Sequence, residues 1–250
     1  DDLGYGRWGC YGPTKIYTPH IDALAKAGTK FAQFYAGSTV CAPSRAALMT
    51  GLHTGHTTIR GNGEVPLSTT DSILPQYLHK AGYKNGIVGK WGLGQFGTTG
   101  VPENKGWDFF AGLLHHVEGH FQKPDSAWKF INGKSAKVKI PEGQYSNEWF
   151  TNQAKIFIKE QQSNPFFLYL AYTLPHAELV VPNTNMQTYL TPEGLSKFSP
   201  EKAHPSGQHY GPQNNPKAAY AAMVSQMDQY VGQIIAYLKK KKLYDNTIII

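Results

Sequence analysis

Twice the sequence runs from a helical pattern straight into a short, wholly apolar stretch, and a chain built of such units is confined to a sheet sandwiched by helices. In the first, Thr70 or Asp71 caps a helix with Ile73, Leu74, Tyr77 and Leu78 on one face. Gly82 closes it, and Gly86-Ile87-Val88 continues as a buried strand that ends at Lys90. In the second, Ser146 opens a helix carrying Trp149, Phe150, Ala154, Phe157 and Ile158, Pro165 breaks the pattern, and residues 166–170 form a strand. Pro175-His176 follows closely. Lys90 and His176 thus fall just after strands, where open α/β sheets gather their ligands. Nearer the start, Thr18-Pro19 begins a helix lined by Ile21, Leu24 and Ala25 that stops at Gly28, and residues 31–35 read as a further strand. Residues 180–216, rich in Pro, Asn, Gly and Ser, read as a long surface excursion. Tyr220, Met223, Val224, Met227, Val231, Ile234, Ile235 and Leu238 recur at helical spacing, and residues 247–250 begin another strand.

The bulk numbers narrow the function classes. A chain of 250 residues, 40% hydrophobic and 16% charged, buries one sizeable α/β core, or one large domain with a small appendage. No apolar run approaches the roughly 18 residues of a membrane span. The net charge is +7, and four of the lysines form one run, Lys239 to Lys242, at a helix end where cations complement the dipole. No RNA-binding or helix-turn-helix pattern accompanies it, which argues against nucleic acid as a partner. Cys10 and Cys41 make no disulfide framework and no zinc pattern. A bridge between the two stays open at this point, and it would consume Cys41. The chain opens on Asp1-Asp2 with no initiator methionine or basic-then-apolar leader.

The densest chemistry lies in Cys41-Ala42-Pro43-Ser44-Arg45-Ala46-Ala47-Leu48-Met49-Thr50-Gly51, a thiol, a rigid turn, a hydroxyl and a guanidinium just ahead of a short helix. Free N–H groups and the dipole favour negative charge there, so a thiol at that place is activated. Taken singly, Cys41 reads as a small buried hydrophobe and Arg45 as a surface cation. Together, Cys-x-Pro-Ser-Arg followed by Leu-Met-Thr-Gly resembles the signature of the type I sulfatases, in which this cysteine is oxidised to formylglycine. Other landmarks agree: Asp1-Asp2-Leu3-Gly4-Tyr5-Gly6, Gly9-Cys10-Tyr11-Gly12, Gly89-Lys90-Trp91 and Leu174-Pro175-His176.

The resemblance implies an α/β, alkaline-phosphatase-like mixed sheet sandwiched by helices. Residues 1–250 would be a partial N-terminal catalytic domain, incomplete at both ends: the family's first strand, a later Asp-Asn pair and a smaller C-terminal subdomain are expected outside it. Adjacent carboxylates repel and need a cation, and hard oxygen donors suit calcium or magnesium over zinc. By resemblance the cation is calcium, held by Asp1, Asp2 and an oxygen of modified Cys41. Arg45 and Lys90 then stabilise charge on the sulfate, and His176 contacts sulfate and protonates the departing oxygen. His120, with His116 and His115 behind it, falls in a segment of substrate-side residues. One departure stands out, because the family's Gly-Lys-Trp-His-Leu-Gly is here Gly89-Lys90-Trp91-Gly92-Leu93-Gly94, and the missing histidine is linked to regeneration of the aldehyde. The implied activity is hydrolysis of an aryl or carbohydrate sulfate ester, with a formylglycine-generating enzyme as partner in maturation and a secreted, periplasmic or lysosomal setting. Two alternatives stay open: a phosphonate or phosphate ester hydrolase of the same superfamily, and a degenerate, non-catalytic binding protein.

Overall fold

The computed structural model describes residues 3–12, 15–205 and 210–250. Six α-helices are found in the described residues: α1 (Pro19–Ala27), α2 (Cys41–Thr50), α3 (Leu74–Lys80), α4 (Ser146–Glu160), α5 (Asn183–Met186) and α6 (Pro216–Lys240). Five strands accompany them: β1 (Lys84–Lys90), β2 (Phe109–Leu113), β3 (Ser126–Ile131), β4 (Lys134–Lys139) and β5 (Phe166–Ala171). The chain divides into two compact units. One comprises Gln33–Gly119 and Lys123–Tyr172; the other comprises the described residues up to Ala32, His120–Gln122 and Thr173–Ile250.

The first unit holds the whole sheet, in the order β4-β3-β2-β1-β5. β1 runs parallel to both β2 and β5, while β3 pairs antiparallel with β2 and β4. This is the mixed α/β class that the helix-to-strand alternation predicts. β1 lies inside the sheet between β2 and β5 and is buried from Asn85 to Lys90, and its run Gly86-Ile87-Val88 suits a covered parallel strand. Phe157 of α4 packs where Gly86 has no side chain. On the core side, Ile87, Trp91, Trp107 and Phe110 meet Ala42, Ala46 and Met49 of α2. Each fully buried large side chain of this kind contributes roughly 1.5–3 kcal/mol. At the carboxyl end of β1, Gly89 (φ 108°) is paired with Gly112 and Ala171, and a Cβ on it would stand 2.1 Å from the Ala171 carbonyl oxygen. Only glycine fits there, and it carries β1 on to Lys90.

The second unit is built on α6. Its fully buried Asp228 accepts hydrogen bonds from the backbone N–H groups of His20 (3.1 Å) and Ile21 (2.8 Å), closing the start of α1. Gly232 leaves room for the His20 ring. Met223 is fully buried, as the helical spacing predicts. No described helix is long and apolar enough to cross a membrane.

Several expectations are corrected. Residues 31–35 form no strand, with Phe34 and Tyr35 78% and 79% exposed, and residues 247–250 form none either, with Ile248 89% exposed. Apolar sequence alone does not make a strand where no neighbour supplies the ladder. Helix α3 starts at Leu74, not after Asp71: the Asp71 carboxylate accepts instead from Ser68 N–H and the Thr58 hydroxyl, both at 2.7 Å, and Gln76 Oε1 accepts from Ile73 N–H at 2.9 Å. Cys41 is the first residue of α2, not ahead of it. Strands β2, β3 and β4 were not anticipated, although the Asn132-Gly133 pair between β3 and β4, both at positive φ (53° and 76°), carries the signal of a tight hairpin.

Candidate active site

In the first unit the site is assembled around the start of α2. Val40 is the N-cap and offers no side-chain acceptor, so Asn62 Oδ1 takes the Ala42 N–H at 3.0 Å. Cys41 is buried, and the Lys90 ammonium donates to its Sγ at 3.1 Å. Lys90 itself is 1% exposed. A buried ammonium is expensive unless it is paired or hydrogen-bonded. An oxygen in place of the sulfur would accept from it more strongly than a thiol does. Gly119 makes the approach possible, because a Cβ there would stand 2.7 Å from Lys90 Cδ.

Arg45 lies on the same face of α2, four positions after Cys41. One guanidinium nitrogen donates to the Lys90 carbonyl at 2.5 Å and lies 3.5 Å from the Tyr169 hydroxyl. The helix is thereby tied to the end of β1, and two cations are held beside residue 41. Cys41, Arg45 and Lys90, expected together from sequence, are brought together.

His115 and His116 also belong to this unit. Their rings stack at 4.5 Å with 26° between planes. His115 Nδ1 accepts from the Val117 N–H at 3.1 Å, so Nε2 carries the hydrogen that faces Glu64 Oε1 at 2.9 Å. Hydrogen bonds from Gln95 and His115 hold the Glu64 carboxyl below the usual carboxylate range. Burial, aided by His115 and Lys90 and opposed by Glu64, holds His116 below the ordinary histidine value. Gly92 (φ 74°) donates its N–H to Leu114 O at 3.0 Å. A Cβ on Gly92 would lie 3.5 Å from Arg45 Cδ and 3.6 Å from His116 Cβ, ordinary van der Waals contact.

In the second unit His120 and His176 stack at 4.4 Å with 26° between planes. His176 Nδ1 is 2.8 Å from the Ala177 carbonyl, which can only accept, so Nδ1 bears a hydrogen and Nε2 is the nitrogen for proton chemistry. Fully buried Gln122 donates to His176 O at 3.0 Å, and the Glu178 N–H donates to His120 O at 2.7 Å. Asp1 and Asp2 lie outside the described residues. Sequence reasoning missed the supporting residues Asn62, Glu64, Gly119 and Gln122. Asn62, Glu64 and Gln122 sit in irregular chain and Gly119 in a short 3-10 helix (Glu118–His120), where neither periodicity nor a local motif marks them.

The sulfatase family model matches residues 1–250, and the chain belongs to the sulfatase family. It is 29% identical over 262 residues to arylsulfatase J of Mus musculus, covering 100% of this chain and 40% of that protein. It is likewise 29% identical over 276 residues to N-acetylgalactosamine-6-sulfatase of Sus scrofa, covering 100% of this chain and 47% of that one. The chain therefore spans less than half the length of these two curated relatives. Among solved structures, that of Ps i-CgsB in complex with k-i-k-neocarrahexaose superposes with a TM-score of 0.79 at 30% identity, covering 99% of this chain and 55% of that one.

Proposed function

We propose that the protein hydrolyses a sulfate ester of a carbohydrate or aryl alcohol, with residue 41 acting as formylglycine. The observation that carries this is the Lys90 ammonium, buried and aimed at 3.1 Å on the atom that oxidation would replace by oxygen. Once oxidised and hydrated, residue 41 supplies an oxygen nucleophile for sulfur. Lys90 orients that oxygen and, with Arg45, offsets charge growing on the sulfate; a single such donor is typically worth about 10²–10³ in rate. His176, its tautomer set by the Ala177 carbonyl, delivers a proton from Nε2 to the departing alcohol oxygen. His120 keeps the His176 ring in plane by stacking. Calcium, held by the carboxylates of Asp1 and Asp2 and an oxygen of residue 41, would add positive charge at the sulfate. A carbohydrate substrate is supported by the name of N-acetylgalactosamine-6-sulfatase among the relatives.

The test is peptide mass spectrometry on protein produced beside a formylglycine-generating enzyme, paired with turnover of a sulfate ester and its phosphate analogue. Conversion of Cys41 and preference for the sulfate are expected. Cys41→Ala should abolish turnover and leave the circular dichroism spectrum unchanged. A Cys41 that stays a thiol where a control sulfatase matures would remove the nucleophile and the reading with it.

A further inference from the structure

Sulfuryl transfer to residue 41 leaves a second proton transfer for which no base has yet been assigned. Once the alcohol has gone, the carbon of residue 41 carries both a sulfate and a hydroxyl. Sulfate is released when that hydroxyl loses its proton, and a base must take it. Arg45 and Lys90 are cations with no lone pair to offer. His115 has Nδ1 on the Val117 N–H and Nε2 on Glu64. Gly92 has no side chain.

The space above Gly92 is nonetheless lined. Its backbone N–H bonds to Leu114, the next two residues are His115 and His116, and a methyl on Gly92 would touch His116 Cβ at 3.6 Å and Arg45 Cδ at 3.5 Å. His116 thus stands over the same helix and strand end that present residue 41. The Glu64 and His115 pair fixes the plane on which its ring stacks.

We propose that His116 is the base that regenerates the aldehyde, acting from the 114–116 segment, where its Cβ borders the space that glycine leaves at position 92. The inference rests on the sulfatase reading above. In the step, the hydroxyl proton passes to a His116 ring nitrogen and the O–H electron pair becomes the second C–O bond of the aldehyde. The bond from carbon to the sulfate oxygen breaks, and its pair leaves on sulfate. His116, now protonated, returns the proton to water. Burial and the nearby Lys90 charge suit the role, because both keep the imidazole neutral and able to accept.

The experiment separates the two half-reactions in matured protein whose aldehyde content has been verified by mass. Burst kinetics on a chromogenic aryl sulfate should show first-turnover alcohol within about three-fold of the parent in His116→Ala, while sulfate release slows by about 10²-fold or more. Acid-quenched His116→Ala should yield a residue 41 peptide still bearing sulfate, and added imidazole should restore part of the release rate. His116→Gln, closer in volume, serves the same comparison if the alanine variant folds poorly. Equal slowing of alcohol and sulfate, or unchanged release with no sulfated peptide, would overturn the assignment to His116 and leave the hydrolase reading standing. A parent protein with the aldehyde in place that forms no alcohol would defeat the hydrolase reading itself, and this inference with it.

Discussion

The two groups of candidate residues are held in opposite ways. Around residue 41, position comes from regular structure: Lys90 ends β1, Arg45 rides on α2, and Gly89 and Gly119 allow backbone and side chain to approach where any Cβ would clash. Around His176, position comes from polar contacts in irregular chain, with the His176 ring on Ala177 O and Gln122 on His176 O. The first arrangement is locked by close packing, which tolerates almost no added atoms. The second depends on individual hydrogen bonds, each of modest net worth. The comparison teaches that one group fails by losing the fold and the other by losing alignment.

The largest expected effect therefore comes from Gly89→Ala. Its Cβ would meet the Ala171 carbonyl oxygen at 2.1 Å, and the φ of 108° is unfavourable for any L side chain. Strain and displacement of β1 against β5 together should cost about 3 kcal/mol or more, read as a lower midpoint in urea unfolding. A variant within about 0.5 kcal/mol of the parent, the usual range for neutral surface changes, would show that close packing does not set this end of the sheet.

The same contrast explains what the sequence discloses. β1 is legible from its buried run Gly86-Ile87-Val88 and β5 from its apolar composition, and the length and spacing of α4 and α6 announce them. β3 and β4 are hidden by their lysines, as suits a sheet edge with a solvated face. Residues 31–35 and 247–250 have strand composition without strand partners, a tertiary condition that composition cannot express. In the site, Cys41 and Arg45 share one local motif and Lys90 lies in another, so all three are readable. The sequence puts His120 ahead of His116 among the substrate-side residues, whereas the structure places His116 beside Gly92. That pairing depends on a backbone hydrogen bond between Gly92 and Leu114, and no local pattern reports it.

A smaller effect is expected for Gln122→Ala, which probes the irregular group. Fully buried Gln122 donates to His176 O and its Oε1 accepts from the Thr173 hydroxyl at 3.3 Å. Removing it strips partners from groups at one buried point, at a cost of about 1–3 kcal/mol. With His176 as the proposed acid, held by this scaffold, kcat for a sulfate ester with a poor leaving alcohol should fall about ten-fold, a loss of roughly 1.4 kcal/mol in barrier terms. An activated aryl sulfate, whose leaving oxygen needs little protonation, should be spared. Equal losses on both substrates would mean that Gln122 supports the fold without aligning the acid.

The smallest effect is a pH dependence of stability within the packed group. Burial first, then the charges of His115 and Lys90, lower the His116 value in the folded state, and Glu64 partly opposes them. The unfolded chain titrates near the ordinary histidine value of about 6.5 and so binds the His116 proton at a higher pH than the folded protein does. Between the two values the unfolded state holds more protons, so stability rises with pH across that window. His116 thus withdraws stability as the pH falls below about 6.5, the loss levelling off once the folded protein is protonated too. His116→Gln, which cannot titrate, removes this contribution. The difference in urea midpoint between parent and His116→Gln should move steadily against the parent as pH is lowered from about 7.5, and then flatten. A difference that stays constant, or that favours the parent at low pH, would mean that the ring is solvated or paired with an anion. The position over Gly92 would then not be the desolvated, cation-flanked one that its packing describes.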